Sequence, residues 1–118
     1  MIIETTRGGN KAASDIKLVS KLDSAAATAA VLTVAAQEDG KHIAHKITWS
    51  YSAAPTGGKL TVTGYGTSLE VDITAGGPGS LDLYYVTATN TALVATLSSG
   101  GGAIVGKVNM TYTTEMYA

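Results

Sequence analysis

The chain has 118 residues, 8 basic and 9 acidic side chains, a net charge of −1 and no cysteine. That length suits one domain. The balanced charge argues against a nucleic-acid or anionic-membrane footprint, and the absence of cysteine excludes a disulfide framework and thiol chemistry. Charged residues make up only 14%, against about a quarter in an ordinary domain. The surface must therefore be largely Thr, Ser, Gly and Ala, which desolvate cheaply beside another protein. No apolar run approaches the ~20 residues that cross a bilayer. The start, MIIETTRGG, lacks the basic and apolar regions of a signal peptide, so a cytosolically made, uncleaved protein is expected.

In chain order, Met1, Ile2 and Ile3 form an apolar tip, followed by a Gly/Ser/Asn-rich stretch that carries Arg7 and Lys11. Such a terminus is expected to be a flexible arm unless it is tied to something, and these five residues are candidate contacts for a subunit or partner. In residues 16–22 (IKLVSKL), Ile16, Leu18 and Leu22 are in phase, which predicts an edge strand. Residues 23–28 (DSAAAT) read as a loop, with a short capped helix as the other possibility. Residues 30–36 predict a strand, and Asp39-Gly40 is a hairpin signal.

Residues 41–52, KHIAHKITWSYS, are the longest period-two run and hold the only tryptophan. Successive strand side chains alternate faces. Ile43, His45, Ile47, Trp49 and Tyr51 are therefore predicted on an inner face, with His42, Ala44, Lys46, Thr48 and Ser50 outside. Residues 53–58 (AAPTGG) read as a turn around Pro55.

Residues 59–63 place Leu60 and Val62 inward. Gly64-Tyr65-Gly66 forms a tight connection to residues 68–74, where Leu69, Val71 and Ile73 point in. Residues 75–80 (AGGPGS) read as a break, and residues 81–86 (LDLYYV) as the next strand. Residues 92–98 set Leu93, Ala95 and Leu97 inward. A glycine loop at 99–102 precedes a last strand over 103–113, in which Gly106 suggests a bulge or close approach.

About eight short strands at roughly ten-residue spacing, separated by Gly-rich turns, predict an all-β chain. The expected architecture is an antiparallel β-sandwich, jelly-roll-like. Residues 1–28 form an N-terminal arm and edge segment, and residues 29–118 the sandwich domain.

Little in the sequence points to chemistry. His42 and His45, the only histidines, fall on opposite faces and cannot share a metal, and no third histidine or cysteine supports zinc. His45 reads as a hydrogen-bonded core or rim group, and His42 as a solvated strand-end residue. Glu70, Asp72 and Asp82 would act together, as a catalytic or calcium-binding set, only if their strands paired. No serine sits in a nucleophile elbow, and neither glycine cluster precedes a helix that would cradle phosphate. No cofactor and no enzymatic activity are expected. Tyr51, Tyr85 and Tyr112 are in phase with core positions, leaving Tyr65 and Tyr84 as candidate exposed aromatic contacts of the kind that stack on sugars or bases.

Two stretches resemble a known kind of protein. One is AAQEDGKHIAHKITWSYSAAPTGGKLTV, residues 35–62, and the other SSGGGAIVGKVNMTYT, residues 99–114. Their strand and turn punctuation resembles that of small tailed-bacteriophage virion proteins, the capsid decoration, cement or head-stabilising proteins. The resemblance implies a structural protein on the outer capsid surface that bridges capsid subunits. It further implies the major capsid protein as partner and a homo-oligomer, dimer or trimer, located in the virion after synthesis in the host cytoplasm. Neither nucleic acid nor a membrane is implied as a partner. The competing reading is a carbohydrate-binding β-sandwich module of a phage tail fibre or capsid surface.

Overall fold

A computed structural model describes residues 16–23 and 28–116. It contains eight strands: β1 (Ile16–Asp23), β2 (Ala30–Val34), β3 (Gly40–Tyr51), β4 (Gly58–Thr63), β5 (Leu69–Ile73), β6 (Gly77–Val86), β7 (Leu93–Leu97) and β8 (Gly106–Met116). They form two antiparallel four-stranded sheets, ordered β1-β8-β3-β6 and β2-β7-β4-β5. In four of these pairings, β1 with β8, β2 with β7, β3 with β6 and β4 with β5, the strand numbers sum to nine. This is the pattern of one long hairpin rolled up, which β3–β8 and β4–β7 pairing then closes. The architecture is the eight-stranded jelly roll of two Greek keys. The expected flexible arm, residues 1–15, lies outside the described residues, as do positions 24–27 of the loop after β1.

The core lies between the sheets and is built from alternation. Leu60 and Val62 of β4, Leu93, Ala95 and Leu97 of β7, and Val108 and Met110 of β8 are completely buried. Leu69, Val71, Leu81, Leu83, Tyr85 and Tyr112 pack against them from partly buried positions. On strands with one wet face, period two is enough to choose which residues go inside.

Four local expectations are corrected. First, β3 changes phase. Its pairing shifts register between Ala44 and Lys46, on both β8 and β6. Beyond the irregularity, Ile47, Trp49 and Tyr51 lie opposite Met110, Val108 and Gly106 on the inner face, as expected. Before it, Ala44 joins the core and His42 is buried at 3% exposure. Ile43 then falls on the outer face, where it pairs with Val86 and Thr113 and is buried outside the main cluster. One extra residue inverts every side chain beyond it.

Second, Asp39 does adopt a left-handed turn conformation, with φ of 59°, but no hairpin follows, because β2 and β3 belong to different sheets. Of the connections between consecutive strands, only β4–β5 joins neighbours in one sheet. Third, residues 77–80 form the first part of β6, pairing with Thr48 to Tyr51. Strand β6 is a sheet edge, where proline's missing N–H is tolerated. Gly79 lies beneath the Trp49 indole: an added Cβ would sit 2.5 Å from the ring. Fourth, the last strand runs on to Met116 rather than stopping at residue 113.

Candidate functional site

The candidate site lies at one end of the sandwich, where β3 begins and β6 and β8 finish. Gly40 stands opposite Met116 and Lys41 opposite Glu115. The described fold begins at Ile16, opposite Thr113, so the chain enters at this same end. The candidate contacts Met1, Ile2, Ile3, Arg7 and Lys11 precede that point and lie outside the described residues.

Tyr65 occupies the β4–β5 hairpin between Gly64 and Gly66. Gly66 has φ of 56°, a conformation glycine adopts without steric cost. Gly64 has no room for a side chain, since a Cβ would meet Thr87 Cγ2 at 2.6 Å. The backbone of Tyr65 is held from below by one phenol. Tyr85 Oη accepts from the Tyr65 N–H at 3.1 Å and donates to the Tyr65 carbonyl at 3.2 Å. The Tyr65 side chain itself is 65% exposed. It borders a groove of about 430 Å³ lined also by Lys41, Val86, Thr87, Ala88 and Thr89.

Tyr84 lies two residues before Val86 on the outer face of β6 and is 70% exposed. Its ring meets His45 edge-on, with centroids 6.0 Å apart. The His45 imidazole also hydrogen-bonds Thr113 Oγ1 at 2.8 Å. It is thus hydrogen-bonded as expected, but from the outer face. Met116, 45% exposed, completes the apolar surface of this end.

Behind that surface, His42 is a clamp and not the solvated residue expected. Its Nε2 is 2.8 Å from the Ala35 carbonyl and its Nδ1 2.9 Å from Thr114 Oγ1. A carbonyl only accepts, so Nε2 donates to Ala35, while Nδ1 and the threonine hydroxyl share the second bond. The His42 N–H donates to Thr87 Oγ1 at 2.9 Å, and the Thr87 N–H returns a bond to the His42 carbonyl at 2.9 Å. The β2–β3 connection, β8 and the β6–β7 connection are thereby tied to one residue.

The other candidate groups do not assemble. Glu70 and Asp72 lie on β5 and Asp82 on β6, in different sheets, so the three carboxylates do not face one another. Glu70 pairs with Lys59 at 3.2 Å and Asp82 with Lys46 at 3.9 Å, exposed pairs worth roughly 0–1 kcal/mol each. His42 and His45 lie on opposite faces of β3. Among the described residues, no group of three or more His, Cys, Asp and Glu is placed to hold a metal, and no helix is long and apolar enough to cross a membrane. A second groove, of about 600 Å³, runs along β8, β3 and β6 and is of mixed character, lined by Lys46, Trp49, Pro78, Ser80, Lys107 and Asn109 among others.

Tyr65 and Tyr84 were singled out in the sequence by elimination, since the other strand tyrosines were in core phase. The sequence reading missed the Tyr85–Tyr65 link, which spans 20 residues and has no local signature. It also missed Met116, which carries no local signal of exposure.

No protein-family model matches the chain, and no curated protein matches it. Several solved structures align with the chain. A ruminal GH26 endo-beta-1,4-mannanase is 15% identical with a TM-score of 0.41; the match covers 82% of this chain but only 19% of the mannanase. The PRD1 vertex protein is 18% identical with a TM-score of 0.41, over 82% of this chain and 70% of that one. The extra small virus (XSV) VLP of the giant freshwater prawn Macrobrachium rosenbergii is 15% identical with a TM-score of 0.34, over 94% and 86%. Virion proteins are thus among the similar structures. Each TM-score is below 0.5, and the jelly-roll assignment stands on the strand order of this chain.

Proposed function

We propose that the chain is a structural, non-enzymatic virion protein that binds the outer surface of a phage capsid and stabilises it by bridging subunits of the major capsid protein. One observation carries the reading. The two stretches that resemble capsid decoration proteins, residues 35–62 and 99–114, fold into a single unit. Strands β3 and β8 pair along their whole length, from Gly40 opposite Met116 to Tyr51 opposite Gly106. Their flanking loops are bonded as well, with the Thr56 N–H donating to the Gly100 carbonyl at 2.8 Å and Ser52 to the Val105 carbonyl at 2.9 Å. Punctuation that is scattered in sequence is contiguous in space, which supports reading the two stretches together.

A surface with 14% charged residues suits burial against a capsid, because small neutral side chains cost little to desolvate. A closed oligomer, dimer or trimer, belongs to the same reading, since the sheet edges β1, β2, β5 and β6 are safest when covered. Purified protein mixed with undecorated capsids should co-sediment at micromolar concentration; failure to do so would refute the proposal.

A second reading, a carbohydrate-binding module of a phage tail fibre or capsid surface, is favoured by the exposure of Tyr65 and Tyr84. A glycan array separates the two: binding to a defined sugar class without capsid binding selects the module.

A further inference from the structure

We infer that the groove along β8, β3 and β6 is a binding site for an acidic saccharide, with hydroxyl and amide side chains for the sugar and two lysines for its negative charge. The inference is independent of the capsid-binding reading, and it places a sugar away from Tyr65 and Tyr84.

The groove follows from register. Thr48 of β3 stands opposite Ser80 of β6 and Asn109 of β8, and Ser50 stands opposite Pro78 and Lys107. Residues opposed across antiparallel strands share a face. Neighbouring strands are about 4.8 Å apart, and same-face residues along one strand about 7 Å apart. The two rows therefore form a grid roughly 10 Å across, with Lys46 one row further along β3. Short side chains, Thr48 and Ser50, occupy its centre line, and longer ones, Lys107 and Asn109, flank them on β8. A row of short groups beside longer ones leaves a trough. Its volume of about 600 Å³ falls among the ~300–1,000 Å³ of small-ligand clefts.

The chemistry of the lining selects the ligand. Thr48, Ser50 and Asn109 are half-buried, yet their side chains make no hydrogen bond among the described residues. A hydroxyl and a carboxamide both donate and accept, which matches the hydroxyl groups of a sugar. Lysine only donates and adds charge. Lys107 has no ion-pair partner among the described residues. Lys46 has Asp82 at 3.9 Å, with both side chains more than half exposed, and a pair so exposed and long holds its lysine weakly. The groove lining itself contains no carboxylate, so its charge complements an anion.

Two apolar groups narrow the class further. Pro78 is exposed on β6 and offers C–H surface to the apolar side of a sugar ring. Trp49 also lines the groove, but its indole lies against Gly79 and packs on the core. It therefore presents no free aromatic face of the kind on which nucleic-acid bases stack.

The test titrates the full chain, observed by NMR, with four probes: oligogalacturonate, dextran sulfate, neutral dextran and polyglutamate. At least one acidic saccharide should bind, with shifts clustered at residues 46–50, 78–80 and 107–109. Which one binds tells whether the charge recognised is a carboxylate or a sulfate. Neutral dextran and polyglutamate should each bind at least tenfold more weakly. Lys46→Gln with Lys107→Gln should weaken acidic-saccharide binding roughly tenfold or more, since hydrogen bonds to charged groups are the stronger ones, with an unchanged melting temperature. Asn109→Ala should weaken it several-fold, and Tyr65→Ala with Tyr84→Ala should leave it as in wild type. The inference is overturned if neither acidic saccharide binds at millimolar concentration, or if polyglutamate binds as tightly, which would mean that charge alone is read. Loss of binding in the tyrosine pair, or full binding in the lysine pair, places the sugar elsewhere and overturns it too. No capsid enters this experiment, so its failure leaves the capsid reading intact, and failed co-sedimentation with capsids leaves this inference intact.

Discussion

The two ends of the sandwich are closed by different means. At the end away from the tyrosine surface, loops are bonded to loops. Ser52 and Val105 exchange two hydrogen bonds of 2.9 Å, one through the serine hydroxyl, and Thr56 bonds Gly100. Ser98 Oγ accepts from the Lys59 N–H at 2.8 Å and donates to the Gly57 carbonyl at 3.0 Å. Tyr51 spans this end from the core, its phenol on the Ser98 carbonyl at 2.7 Å and its ring against Gly100. At the other end a single buried histidine ties three segments, and the tyrosine side chains of the loop and edge strand are left pointing out. One end consumes its aromatic group to close the barrel mouth. The other is closed from beneath, so its aromatic groups remain available.

Substitutions at the two ends should therefore differ in what they cost in stability. The largest loss is expected for Tyr51→Ala, about 3–5 kcal/mol, from the cavity left by a fully buried ring; chemical denaturation measures it. A loss under ~1 kcal/mol would mean the closed end does not depend on Tyr51. His42→Ala should cost about 2–3 kcal/mol, because it leaves the Ala35 carbonyl and Thr114 hydroxyl without their partner. Hydrogen exchange should then rise around residues 35, 87 and 114 and not around 52, 56 and 98. Gly79→Ala forces the Trp49 ring off its seat and should cost about 1–3 kcal/mol, with a red-shifted tryptophan emission as the ring gains solvent. The smallest effect is expected for Tyr84→Ala, under about 0.5 kcal/mol for an exposed side chain. A thermal melt shifted as far as that of His42→Ala would show that the exposed end, too, is structural.

Much of the fold was legible because the chain alternates cleanly wherever one sheet face is wet. Leu60 and Val62, and Leu93, Ala95 and Leu97, were assigned inward from period two alone, and all are buried. Alternation failed where a non-local term took over. The irregularity after Ala44 moved His42 into the core and Ile43 out of it, and nothing in HIAHK announces an extra residue. Gly77-Pro78-Gly79-Ser80 looks like a break by composition, yet it is strand, because an edge position forgives the proline and the indole across from it demands a glycine. The candidate site was legible in part. The exposure of Tyr65 and Tyr84 followed from strand phase, whereas the phenol that braces Tyr65 and the groove beside it depend on which segments meet.

The sequence by itself therefore determined the class, the number and approximate placement of strands, the inward residues of the regular strands and the absence of disulfides, because these depend on local periodicity and composition. Tertiary structure decided the rest: the pairing order that rolls one long hairpin into two sheets, the phase of β3 before its irregularity, the burial of His42, and the gathering of Tyr65, Tyr84, Met116 and the chain entry at one end. Those are contacts between residues tens of positions apart, and their energies appear only once the sheets have closed.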